Sequence, residues 1–302
     1  MSGLRVRLDP TNPGQFFACC GLLELADRAW CGAEACFEDG GGAFRVMPLA
    51  PGAPDAHARG LLDALRTAPL VNPRVSRARL DALQKRIAEA KKAARKGDGG
   101  PALAELQREE GEEQAKFDAA WDEAKDGALR LGAPFDMDVD WHLDDLSGGS
   151  RYKTWAGQQT ITDIAGKLKL ATDAALIDVA GEDWLAASFP CAGSLNLDAV
   201  GAASDIDVGF SFDPLGIESV NRRGLIELLA FLGLQRFRPV ETKGENRHRY
   251  AIWFNPLSPE IAKVAAAGML APRQCRVFEF RLLYRTKYLK SFLPALPKGN
   301  QE

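Results

Sequence analysis

Asp136, Asp138, Asp140 and His142 recur at a spacing of two, and Asp144 and Asp145 follow them. Carboxylates clustered in this way can hold Mg²⁺ for phosphodiester cleavage. On an extended strand, however, same-face neighbours lie about 6–7 Å apart, too far for all of them to share one ion. Alternating charge also protects an exposed edge strand from pairing with other chains. The chain carries no phosphate-binding Walker loop, no G-x-S-x-G elbow and no H-E-x-x-H. Its three histidines are His57, His142 and His248. Only His248, between Arg247 and Arg249, is placed as a histidine of an RNA-cleaving enzyme would be. No catalytic residue, metal site or cofactor is assigned on this basis.

A second constellation offers binding rather than bond cleavage. Between Leu146 and Thr160 a glycine-rich loop interleaves Arg151 and Lys153 with Tyr152 and Trp155, and adds Thr154, Gln158 and Gln159. Cations suit phosphates, a flat aromatic suits base stacking, and amides suit base edges. The competing reading is an ordinary loop in which Trp155 packs into the core and Thr160 or Thr162 caps the next helix. Asn221, Arg222 and Arg223 stand at the start of a later helix, where the helix dipole favours anions. Arg285, Lys287 and Lys290 follow beside Tyr284 and Tyr288.

The elements that must hold these residues are organised as an internal repeat. DPTNPGQFFACCGLLELADRAW, from Asp9 to Trp30, is echoed by DPLGIESVNRRGLIELLAFLGLQRF, from Asp213 to Phe237. Each copy has an Asp-Pro turn, a short loop and a helix built on Gly-Leu-(Leu/Ile)-Glu-Leu. A strand pattern precedes each copy, at 4–8 and 206–212. Two short apolar runs and another helix follow each, at 35–38 and 43–47 in the first copy and at 236–240 and 248–254 in the second. One more strand would complete a ferredoxin-like, RRM-like βαββαβ unit. The candidate closing strands are 274–284 in the second copy and 135–143 in the first. The expectation is an α+β chain of two such units: 1–145, a connecting segment 146–204 that carries the basic, aromatic loop, and 205–302.

Residues 75–128 delay closure of the first unit as a charged helical hairpin. Ser76 is placed to cap its first helix, and Gly97-Asp98-Gly99-Gly100 breaks the helix before Pro101 starts the second. The first arm is basic, with Lys85, Lys91 and Lys92 among its cations, and the second is acidic, with Glu109, Glu110 and Glu112. Antiparallel pairing of the arms would neutralise both; a docking arm for a partner is the alternative. The net charge of −3 hides an asymmetry. Residues 221–302 hold 15 Lys or Arg against 6 Asp or Glu, whereas 130–220 hold 5 against 15. A cationic end suits phosphate contacts, and the acidic middle argues against coating nucleic acid along the whole length. The lack of a long apolar run or signal pattern, and six cysteines mostly in apolar settings with no CxxC, predict a reduced, cytoplasmic protein.

Three segments, LDPTNPGQFFACCGLLELADR, SRYKTWAGQQT and GLIELLAFLGLQRFRP, together resemble a CRISPR-associated family of subtype I-U, also called I-G. The resemblance implies a non-enzymatic subunit of a type I, Cascade-like surveillance complex in antiviral defence, with the role of its large subunit. The implied partners are the guide-RNA-containing assembly, target DNA and the other subunits, including the helicase-nuclease, with no membrane. In such a complex base pairing reads the sequence and protein reads a short adjacent motif. Arg151, Lys153, Trp155, Gln158 and Gln159 would then contact phosphates and bases. The alternatives are a guide-RNA-processing or metal-dependent nuclease and a pure protein scaffold.

Overall fold

The computed structural model describes residues 3–50, 57–96, 101–143, 150–155, 159–176, 181–200, 220–242, 246–271, 273–284 and 290–298. The fold is α+β. Strand β1 (Leu4–Arg7) leads to helix α1 (Pro13–Trp30), then to the hairpin β2 (Ala33–Glu38) and β3 (Ala43–Pro48), and then to α2 (Ala58–Thr67). The sheet order is β1-β3-β2, antiparallel throughout. The Asn12 side chain caps α1 by accepting from the backbone N–H of Gly14 at 3.0 Å, and Pro13 starts the helix. Cys31, in the left-handed region at φ 55°, ends it.

Strand β4 (Leu70–Val71) precedes the charged hairpin, α3 (Arg77–Lys96) and α4 (Pro101–Asp126). Ser76 Oγ accepts from the N–H of Arg79, as its position predicts. Strands β5 (Leu129–Leu131) and β6 (Met137–Val139) follow, and β4-β5-β6 form a separate small sheet at the root of the hairpin. This corrects the expectation that 135–143 closes the first unit. Phe135, Met137, Val139 and Trp141 are buried, as their alternation predicts. They are buried elsewhere because α4 returns the chain beside Leu70, and β5 takes the pairing edge that β6 then joins. Alternation specifies a face; it does not specify the neighbouring strand.

Helix α5 (Ile161–Ala175) is capped by Thr160 Oγ1, which accepts from the N–H of Asp163 at 3.1 Å. Strands β7 (Phe189–Cys191) and β8 (Val220–Arg222) pair as a two-stranded ribbon ahead of α6 (Gly224–Gly233). The last part holds β9 (Val240–Glu241), β10 (Arg247–Trp253), α7 (Pro259–Ala266), β11 (Cys275–Tyr284), β12 (Lys290–Phe292) and β13 (Leu296–Pro297). Its sheet runs β12-β11-β10-β9, with β13 also on β11. A βαββαβ unit would place its first strand between its third and fourth. Here β10 and β11 pair directly, from Arg247 opposite Arg281 to Trp253 opposite Cys275, so that slot is closed. The strand expected at 206–212 lies outside the described residues. The described residues therefore do not build a second ferredoxin-like, RRM-like unit.

What the two copies of the repeat do share is a place at the centre. All residues of α6 and the first fourteen of α1 are buried, and the two helices cross in direct backbone contact. A Cβ on Gly21 would run into the carbonyl oxygen of Leu229, and one on Gly233 into that of Phe17. Only glycine allows so close a crossing. Around it one hydrophobic core takes in residues from Leu4 to Ala295. The sheets meet where Trp253 Nε1 donates to the carbonyl of Ala35 at 2.7 Å and Tyr250 Oη to that of Pro10 at 2.6 Å. Among the described residues no helix is long and apolar enough to cross a membrane.

Candidate functional site

The residues that sequence suggested for chemistry are dispersed by the fold. Asp136 and Asp138 both pair with Arg130, and Asp140 accepts from Gln235 Nε2 at 2.8 Å. His142 turns inward on a short helical turn, with Nε2 3.2 Å from the carbonyl of Gly127. Burial lowers its pKa to about 4, so it stays neutral. No ladder of metal ligands forms, and the described residues contain no group of three or more His, Cys, Asp or Glu able to hold an ion.

The basic, aromatic loop is brought together, but largely inward. Trp155 is 2% exposed, packed with Trp141, His142 and Phe231, and presents no face for stacking a base. Lys153 is buried, ion-paired with Asp126, and lies 5.5 Å over the Trp155 ring. Thr154 donates its hydroxyl to the carbonyl of Leu195. Tyr152 donates to the carbonyl of Pro239 at 2.8 Å and sets its ring edge-on to His248. Burial, then the nearby Glu241 carboxylate, pushes the Tyr152 phenol up to about 12. Arg151 is exposed and pairs with Glu241. Gln159 and Asn221 are exposed and Arg222 is half-buried. Gln158, Arg285 and Lys287 lie outside the described residues. Arg223 binds the buried carboxylate of Asp198, donating from Nε to Oδ2 at 2.7 Å.

Two buried glutamates escaped the sequence reading. Glu24 of α1 is held by Arg28 at 2.7 Å and Arg236 at 2.5 Å. Glu227 of α6 accepts backbone N–H bonds from Leu195 at 3.0 Å, Leu197 at 3.2 Å and Asp198 at 3.1 Å. Burial, reinforced by the Asp198 carboxylate, pushes its pKa up to about 7, and the three N–H donors restrain the rise. The signal was present in the repeat: each Gly-Leu-X-Glu-Leu puts one acid into an apolar helix. Both acids fasten other segments to the central crossing and are closed to solvent.

An open cleft of about 580 Å³ lies on the C-terminal sheet, lined by Glu241, Thr242, Arg247, Arg249, Glu279 and the Leu296–Lys298 stretch. Alternation along β10 sends His248, Tyr250 and Ile252 to one face and Arg247 and Arg249 to the other. His248 is buried against Tyr152 and Phe280, away from the cleft, and burial lowers its pKa. The two carboxylates of the cleft are taken: Glu241 by Arg151, and Glu279 by Arg247 at 3.1 Å. Glu279 stands directly opposite Arg249 in register, yet pairs diagonally. Arg249 is left half-buried, its Nε enclosed without a hydrogen-bond partner and its guanidinium without a carboxylate among the described residues.

No family model, no curated protein and no solved structure matches the chain. The likeness to the CRISPR-associated family is corrected accordingly. The Cascade membership, the guide-RNA and target-DNA contacts and the RNA- and DNA-binding roles drawn from it have no support. The geometry agrees, since Lys153, Trp155 and Arg223, three of the residues meant to grip polynucleotide, are committed to partners inside the protein.

Proposed function

We propose that the protein is a binding protein for a small molecule bearing an oxyanion, carboxylate or phosphate, held in the cleft at Arg249. The unpartnered Arg249 guanidinium carries this reading. Arg249 lines the cleft, and an oxyanion meeting its planar fork there makes charge-assisted hydrogen bonds that no carboxylate among the described residues supplies. Lys298 adds a second cation on the cleft wall. Arg151 and Arg247 neutralise the two carboxylates that would otherwise repel the ligand. The six free thiols fit a reducing, cytoplasmic setting for this role.

The test is thermal unfolding and calorimetric titration with inorganic phosphate and with citrate, at ionic strength matched by chloride. A ligand at about 100 times its Kd stabilises the folded state by about 2.7 kcal/mol. Wild type should gain stability from one of the two anions, and Arg249→Gln should lose that gain while keeping its own unfolding temperature. Equal shifts in wild type and variant, or none in wild type, would overturn the proposal.

A further inference from the structure

The charged hairpin carries a separate inference. Its helices are 20 and 26 residues long, so the arm extends about 30–39 Å. Its own small core comprises Val75, Leu80, Leu83, Ala120 and Ala124, with Phe117 half-buried against them. The pairs Arg74–Glu123 and Arg86–Glu113 set an antiparallel register. By that register Lys85, Lys91 and Lys92 of α3 lie level with Glu109, Glu110 and Glu112 of α4. The pairing expected to neutralise the arms does not extend to these residues. Lys85, Lys91, Lys92, Glu109 and Glu110 make no ion pair among the described residues, and Glu112 reaches only Arg108 of its own helix, at 3.8 Å. The physical reason is that cross-arm contact follows the buried seam, whereas these side chains point outward; Glu110 is half-buried and the other five are exposed.

The outcome is a mainly basic strip, interrupted by Glu89, and a mainly acidic strip, flanked by Arg108, side by side at one height. We infer that this arm is a self-association surface: a second copy docks on it through a two-fold axis, α3 of each protomer against α4 of the other. A two-fold axis satisfies both strips with one surface, because every contact is made twice. A partner of one sign would be attracted by one strip and repelled by the other. The hairpin itself, inverted, carries both signs over the same height. Each exposed ion pair contributes only about 0.2–1 kcal/mol, and charges beyond about 10 Å are screened at 0.1 M salt. The dimer is accordingly weak and sensitive to salt.

Sedimentation equilibrium of the full chain at 50 mM and 500 mM NaCl tests this. Wild type should dimerise at low salt, with Kd rising at least tenfold at high salt. A triple variant K85E/K91E/K92E and a triple variant E109K/E110K/E112K should each be monomeric at 50 mM. Mixed in equal amounts, they should recover a dimer, since the six positions are then all acidic on one hairpin and all basic on the other. Circular dichroism checks that both variants keep their helices. A wild type that is monomeric at 50 mM salt and high micromolar concentration overturns the inference. So do triple variants that dimerise as wild type does, or a mixture that does not pair.

Discussion

The α1–α6 crossing and the α3–α4 arm use charge in opposite ways. At the crossing charges are few, buried and satisfied: Glu24 by two arginines, Glu227 by three backbone donors, Asp198 by Arg223 and Asn12. On the arm they are many and mostly exposed, and Lys85, Lys91, Lys92, Glu109 and Glu110 make no ion pair among the described residues. A buried charge is destabilising unless its partners stand in one geometry, so the crossing defines a single arrangement of the core. An exposed charge contributes little to folding and is open to other molecules. The contrast separates what holds this protein together from what it offers to a partner.

The sharpest way to break the contrast is at the glycine contact. Gly21→Ala places a methyl group against the backbone of Leu229, which cannot yield as a side chain tip could. Overpacking of this kind costs typically about 1–3 kcal/mol, and a backbone collision lies at or above the upper end. Chemical denaturation should show a loss of at least about 3 kcal/mol, or no folded protein. A loss under about 1 kcal/mol would mean that the helices do not touch as described.

The second test is pH. Glu227, raised from 4.5 to about 7, holds its proton more tightly folded than unfolded. Its contribution is present below about pH 4.5 and is lost as pH rises through 7. His142, lowered from 6.5 to about 4, has the opposite sign. Its contribution is present above about pH 6.5 and is lost as pH falls through 4. At about 1.4 kcal/mol per pH unit the two are of similar size, on the order of 3 kcal/mol, and they oppose each other between pH 4.5 and 6.5. Over that window Glu227→Gln should make stability rise with pH relative to wild type, and His142→Gln should make it fall. Parallel pH profiles for all three proteins would remove both assignments.

Several elements around the crossing were legible in the sequence, though not the crossing itself. The helix after the Asp-Pro turn, a threonine cap on α5 (Thr160, of the two offered) and the strands at 248–254 and 274–284 follow from capping chemistry and period-two patterning, and the structure has them. The repeat marked the two helices that meet at the centre. Strand order was not legible, because β6 joining β5 and β10 joining β11 depend on which edges are free after the intervening chain has folded. Loop chemistry misled for a related reason. Arg151, Lys153 and Trp155 have the composition of a binding loop, but Asp126 and Glu241, 27 and 90 residues further along the chain in either direction, are what occupy the cations. The Arg249 cleft was not legible in sequence, since Glu279 stands opposite Arg249 in register yet pairs diagonally with Arg247.

Asn12 offers a smaller effect that still belongs to the crossing. Its Oδ1 caps α1 and also accepts from the N–H of Ala199 at 3.3 Å, while its Nδ2 donates to Asp198 at 2.8 Å. Asn12→Ala removes a helix cap, worth about 0.5–2 kcal/mol, and takes one donor from a buried carboxylate. A loss of about 2 kcal/mol is expected, with Asn12→Asp worse than Asn12→Gly, because it sets a second carboxylate against Asp198. If Asn12→Asp is as stable as wild type, the Asp198 contact is not formed.

The smallest effect has the opposite sign and lies on the arm. Gly111 sits inside α4, is exposed, and a Cβ there would meet nothing within 4 Å. Glycine in a helix interior is about 0.5–1 kcal/mol less favourable than alanine, chiefly because the unfolded chain loses more freedom on ordering. The same exchange that collides at Gly21 should therefore stabilise at Gly111, by about 0.5–1 kcal/mol in denaturant unfolding. Because Gly111 lies between Glu110 and Glu112, its neighbours on the acidic strip, the variant also probes self-association without altering charge. A stiffer α4 should leave the salt dependence of the dimer unchanged. If Gly111→Ala destabilises the fold, α4 is not a free-standing helix at that point, and the division between a committed centre and an available arm fails there.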